Sequence, residues 1–158
     1  MTTLLAPSVA TATETHHEEL RDQLVRHTQS LIDTVDSRLP FEPAQRRLAE
    51  FLRTALLPHL DAEEILLYAT AEAGPADLLA RAMEDEHRVM AALIREIERA
   101  AGPMDAAIAA GALVVLFDVR ARQENRHLLP ALAATGVDVT VLLEDVPEIV
   151  GTPTGSNR

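Results

Sequence analysis

Two residues in the segment LLPHLDAEEILLYATA are placed to do chemistry together. His59 and Glu63 stand four positions apart. On a helix that spacing puts an imidazole and a carboxylate on one face, one turn apart. Apolar residues surround the pair, so the face that carries it also points into a core. Buried polar groups cost free energy unless they are partnered, and buried charges cost most. A metal ion is one partner that meets the need. The chain has no Cys, which excludes disulfides, thiolate catalysis and iron–sulfur ligation and leaves His and carboxylate as the strong ligands.

Other candidate ligands must be brought to this pair by the remaining elements. Thr15-x-x-Glu18 has the spacing of a capping box, so the first helix is expected to start near Thr15 and to run to about Ser37, ahead of Pro40. Leu20, Leu24, Thr28, Leu31, Ile32 and Val35 recur along it at helical spacing, and His17 falls in line with them while His16 points elsewhere. The second helix opens at Glu42-Pro43, carries His59 and Glu63, and ends by Gly74-Pro75. Pro58 interrupts it, either as a plain bend or as a kink that re-aims His59. The third helix spans 75–101, with His87 on the stripe of Leu78, Leu79, Met83, Met90, Leu93, Ile94 and Ile97; Gly102-Pro103 stops it. The fourth spans 103–134, with a middle apolar enough to be buried almost all round, and it places Glu124 four residues after Arg120. VTVLLEDVPEIVG adds one to three turns.

Four amphipathic segments with short connections predict an all-α fold, an up-down-up-down four-helix bundle with a short C-terminal helical extension. Its expected bounds are residues 14–150, with disordered tails at 1–13 and 151–158. Composition agrees: apolar residues reach 47% with aromatics at 3%, which favours packed helices over a sheet. The formal net charge is −11 and every basic side chain other than His is Arg, so nucleic acid is not an expected partner. No run approaches the ~18 apolar residues of a membrane span, and the start lacks the basic residues of a signal peptide. A soluble cytoplasmic protein with no membrane partner is the expectation.

A lone His on an apolar face is more often a hydrogen-bonded core residue than a ligand. The joint pattern argues otherwise, because His17, His59 with Glu63, His87 and Glu124 each lie on the inward stripe of a helix. Metal sites in bundles are built from side chains on facing helices, and imidazole with carboxylate suits iron, manganese or zinc.

At these positions the chain resembles the hemerythrin-like (HHE cation-binding) domains. HHEELRDQL is similar to the family's first element through His17; LLPHLDAEEILLY matches the second through His59 and Glu63. EDEHRVMAALIREIE matches the third through His87, and FDVRARQENRHLLPAL resembles the fourth through Glu124, except that Arg120 stands where the family has His. The resemblance covers about residues 14–150. It implies a non-haem centre of two irons, oxo- or hydroxo-bridged, with the glutamates bridging and the histidines terminal. It implies binding, sensing or reduction of dioxygen, nitric oxide or peroxide, or sensing of iron.

Arg120 stays protonated and offers no lone pair, so it cannot replace a His ligand. Three outcomes are open. Arg120 swings to solvent and one metal keeps an open position; or His127 (or His16) substitutes; or Arg120 pairs with Glu63 or Glu124, takes the place of one metal, and leaves one ion or none. A retained, asymmetric site is the preferred reading. The alternative is a metal-poor bundle that serves as a regulatory or interaction module for a protein partner. Whether the chain turns over a substrate, and through which catalytic residue, does not follow from the sequence. Tyr68 reads as a helix-end packing residue with a wet hydroxyl, or as an outer partner of the site. Glu84-Asp85-Glu86 reads as a solvated face with one carboxylate available to orient His87.

Overall fold

The computed structural model describes residues 8–72 and 74–152. Helix α1 is Val9–Asp36. It starts six positions before Thr15 because Ser8 caps it, its hydroxyl accepting from the Thr11 N–H at 3.2 Å. The expected N-terminal tail is therefore helical over 9–13, and Thr13 is buried; residues 1–7 of that tail, and 153–158 of the C-terminal one, lie outside the described residues.

Helix α2 covers 42–71 without a break, and α4 covers 103–134. Between them lies α3, Asp77–Arg99. Both α2 and α4 carry a proline inside, Pro58 and Pro130. Each absorbs it by widening the preceding turn into a π-helix, Leu52–Leu56 and Glu124–Leu128. A proline has no N–H to offer the carbonyl four residues back. In the widened turns the Leu57 N–H instead reaches the Leu52 carbonyl, and the Leu129 N–H the Glu124 carbonyl. A third π-turn, Glu64–Tyr68, follows Glu63 directly. Such turns shift the face that a helix presents by one residue and recur at functional sites.

Helix α1 packs on α2 and α4, and α3 packs on α2 and α4, which closes the four long segments into a bundle. Among the described residues there is no strand. Two short helices follow, α5 (Val139–Leu143) and α6 (Pro147–Val150). Both touch α1, and α6 also lies against the Leu57–Glu63 segment of α2. The described residues include no helix long and apolar enough to cross a membrane.

Two apolar clusters form the core. One gathers Leu24, Leu48, Leu52, Leu56, Leu113 and Phe117. The other gathers Leu67, Met83, Leu128, Leu132, Leu143 and Ile149. The buried polar residues of α2, α3 and α4 fall between the two along each helix, so the bundle is apolar at both ends of a polar middle layer. The middle of α4 is not buried all round: Ile108 and Val115 are each 65% exposed. The helix lies at the edge of the bundle, and scattered apolar side chains in solvent are ordinary.

Candidate metal centre

In the middle layer, His17, His59, Glu63, His87, Arg120 and Glu124 are all buried. The widened turns on α2 and α4 flank it. His17 Nε2 lies 3.1 Å from Glu63 Oε1 and 3.6 Å from Glu124 Oε1. His59 Nε2 lies 2.7 Å from the same Glu63 oxygen. Among the described residues, His17, His59 and Glu63 form the one group whose ligand atoms all lie within 4.8 Å of one another. Glu124 closes the layer from α4, and neither of its oxygens has a hydrogen-bond partner.

The other side of Glu63 is occupied by a cation. Arg120 Nη1 lies 2.5 Å from Glu63 Oε2 with both side chains fully enclosed. Its Nη2 donates to the Tyr68 hydroxyl, and the guanidinium carbon stands 5.3 Å from the Tyr68 ring centre. Arg120 does not swing to solvent. Tyr68 does not keep a wet hydroxyl; it is fully buried, because that hydroxyl has the guanidinium as its partner. His127 does not compensate, since it is exposed: three residues past Glu124 it falls beyond the turn's inward arc. His87 is not drawn into the cluster. Its Nδ1 lies 2.7 Å from Glu64 Oε2 and its Nε2 3.8 Å from Asp61 Oδ1. The carboxylate that faces its ring comes from α2, not from the acidic run Glu84-Asp85-Glu86.

Charge follows this geometry. Burial opposes ionisation of Glu63, but Arg120, with His59 and His17, overcomes it and holds the carboxyl well below the usual range. Burial pushes Glu124 well above that range, and the neighbouring Glu63 carboxylate adds to the push. His17 is lowered by burial despite the pull of Glu63. The layer therefore holds one carboxyl that Arg120 favours in its ionised form and one that burial favours in its protonated form.

Outer partners orient both imidazoles. The Glu148 backbone carbonyl of α6 accepts from His59 Nδ1 at 2.7 Å and from His16 Nε2 at 3.0 Å. Asn125 Nδ2 donates to His17 Nδ1 at 3.2 Å; the same amide turned by half a rotation offers its oxygen, so Asn125 serves either tautomer. His16 is thus not idle: it leaves the ligand cluster but joins α6. No side-chain pattern announces a backbone carbonyl, so Glu148 has no signature in the sequence; Asn125 has only its place beside Glu124. A surface cleft of ≈ 260 Å³ between α1 and α4, lined by Glu14, His17, Glu18, Arg21, Asp118 and Asn125 among others, reaches the outer edge of His17.

Two imidazoles and a carboxylate offering atoms this close are a donor set for a transition-metal ion. The comparisons agree with that chemistry. The family model of the hemerythrin HHE cation binding domain matches residues 9–132. No curated protein and no solved structure matches the chain significantly.

Proposed function

We infer that this chain, which belongs to the hemerythrin HHE cation-binding family, holds one non-haem iron ion rather than two and uses it to bind a small diatomic molecule or peroxide. His17, His59 and Glu63 would hold the ion, with Glu124 as the fourth protein ligand. The observation that carries the reading is the division of Glu63. One oxygen faces both imidazoles, and the other is held by Arg120. In a di-iron site the second oxygen of a bridging glutamate would belong to the second ion. Here a guanidinium stands in that direction, and a further dication beside it would be repelled at short range in a weakly screening interior.

The residues fit a single ion on three counts. Unpartnered Nε2 of His59 and both Glu124 oxygens are buried polar atoms that want a partner. With Nδ1 of His59 donating to a carbonyl, its Nε2 lone pair faces a carboxylate oxygen at 2.7 Å, and two acceptors so close need a cation or a proton between them. Two imidazoles with one carboxylate are also the donor composition of non-haem iron(II) sites with open positions.

Bound iron would supply a reversible ferrous–ferric change and a free coordination position. The chain's own residues do the rest. Arg120 keeps Glu63 ionised and fixed in direction. Glu124 holds a proton at its carboxyl until it ligates, and so couples loading to proton release. The apolar clusters on both sides limit water, and the cleft that His17 lines would be the approach for a diatomic.

Anaerobic iron(II) loading followed by nitric oxide titration tests the reading. The expected result is a saturable new absorption with one nitric oxide per bound iron. Iron that binds without any nitric oxide response would contradict the ligand; protein that binds no iron at all would contradict the centre. In that last case the Arg120–Glu63 pair, which already neutralises the ionised carboxylate, favours the second reading: a metal-free bundle acting as an interaction module.

A further inference from the structure

We propose that the C-terminal turn Pro147–Val150 is a positioning strap, whose Glu148 carbonyl fixes His59 as its Nδ1–H tautomer and thereby leaves Nε2 as the lone pair that faces the site. The proposal rests on the metal reading for its purpose but not for its geometry. A backbone carbonyl only accepts, so the ring nitrogen facing it carries the proton. At 2.7 Å from His59 Nδ1, the carbonyl commits that nitrogen and with it the tautomer of the neutral ring. Metal-ligating histidines need this kind of partner on the nitrogen that does not ligate.

The carbonyl is free for a structural reason. A helix leaves its last four carbonyls without partners inside it, and α6 is only four residues long. The Pro147 carbonyl is taken by the Gly151 N–H, while the Glu148 carbonyl turns to the bundle. Two contacts seat the strap. Ile149 is fully buried in the second apolar cluster. His16, from α1, donates to the same carbonyl from the other side at 3.0 Å, and its ring meets the His59 ring edge-on, with 5.3 Å between centres. The chain then passes close over His16: Gly151 has φ +76, and a Cβ there would meet His16 Nδ1 at 3.2 Å. Only glycine fits that exit without strain.

The strap lies outside residues 9–132, the part matched by the family model. The matched part supplies His17, His59, Glu63 and Glu124, but not the group that sets the tautomer of His59. The Glu148 side chain plays no part in this contact, so its identity is free and the strap must be tested through its anchors.

The test uses the full chain, metal-free and loaded. Ile149→Ala loosens the strap from below and Gly151→Val forces it off His16. Leu48→Ala, in the other apolar cluster, is the control for loss of stability alone. Long-range proton–nitrogen NMR of the metal-free protein reads the tautomer directly. The expected result is a His59 Nδ1 that keeps its proton in the wild type and in Leu48→Ala, and an Nδ1 that loses it in a large share of molecules, leaving the ring proton on Nε2, in both strap variants. Zinc(II), a redox-inert probe, should bind about tenfold or more weakly to the strap variants than to the control. An unchanged His59 tautomer in both strap variants overturns the proposal, as does an equal change in Leu48→Ala. A tautomer that shifts as expected in a protein that binds neither zinc nor iron would sink the metal reading and leave the strap standing.

Discussion

Two halves of one layer are built on the same helical spacing and carry different groups at its first position. On α2 the sequence His59-x-x-x-Glu63 places an imidazole and a carboxylate on one turn, and α1 adds His17. On α4 the sequence Arg120-x-x-x-Glu124 repeats the spacing, but the first position carries a fixed charge in place of a lone pair. On the α2 side His59 Nε2 lacks a hydrogen-bond partner, as do both Glu124 oxygens facing it from α4. On the α4 side Arg120 has already met Glu63 and Tyr68. A guanidinium does electrostatically what a second metal would do, in that it neutralises a buried carboxylate, but it binds nothing further. The difference between the halves teaches that one residue in a repeated spacing, an arginine where an imidazole could stand, puts a fixed charge in place of a lone pair within the same helical frame.

The comparison can be broken first through the metal. His59→Ala is expected to weaken iron(II) binding by more than about 100-fold, beyond the usual cost of an outer partner, whereas His87→Ala should change it by no more than about threefold. Equilibrium dialysis at equal protein concentrations separates the two. Comparable losses would place His87 in the site after all.

Next in size is the charge pair. Arg120→Met leaves Glu63 buried with its guanidinium gone, which should cost the metal-free protein about 3–5 kcal/mol. Urea unfolding reads it, and a loss below about 1 kcal/mol would mean that Arg120 is not the partner of Glu63. Tyr68→Phe removes a single acceptor from the enclosed guanidinium and should cost about 1–3 kcal/mol while leaving metal content unchanged. Both variants sharpen the same point, that the first position of the α4 half is an ion-pair partner of Glu63 and not a metal ligand.

The smallest effect concerns pH. Glu63 is held below the ordinary carboxyl range, so its contribution is present at neutral pH and is lost only as pH falls through its lowered value. Glu124 is held above that range, so its contribution is full at pH below the ordinary value and is lost as pH rises through its raised one. The metal-free protein should therefore lose stability as pH rises above the ordinary carboxyl range, by at most about 1.4 kcal/mol per unit from this group. Glu124→Gln cannot ionise and should flatten that slope. An identical slope in both proteins would show that Glu124 is not the group responsible.

Much of this was legible from residues alone. The bundle follows from apolar periodicity and from breaks at Pro40, Gly74-Pro75 and Gly102-Pro103. The two helical His/Arg–Glu spacings placed His59, Glu63, Arg120 and Glu124 in one layer, because the i, i+4 relation survives any detail of packing. What escaped was set by tertiary contacts. The start of α1 was hidden because two capping signals compete and Ser8 wins over Thr15. Arg120 could point to solvent or pair with Glu63 or Glu124, since a long side chain on an inward position has no direction until its partners are known. His87 looked equivalent to His17, yet Glu64 and Asp61 across the α2–α3 contact draw its ring away. The role of Glu148 was invisible in principle, as any residue has a carbonyl.

The central claim is one ion per chain, set by Arg120. The direct measurement is iron per chain after anaerobic loading and desalting, by elemental analysis, for the wild type beside Arg120→His. The account predicts one iron in the wild type and a rise toward two in the variant, where an imidazole lone pair replaces the fixed charge. Two irons in the wild type would contradict it, and so would a variant that gains none.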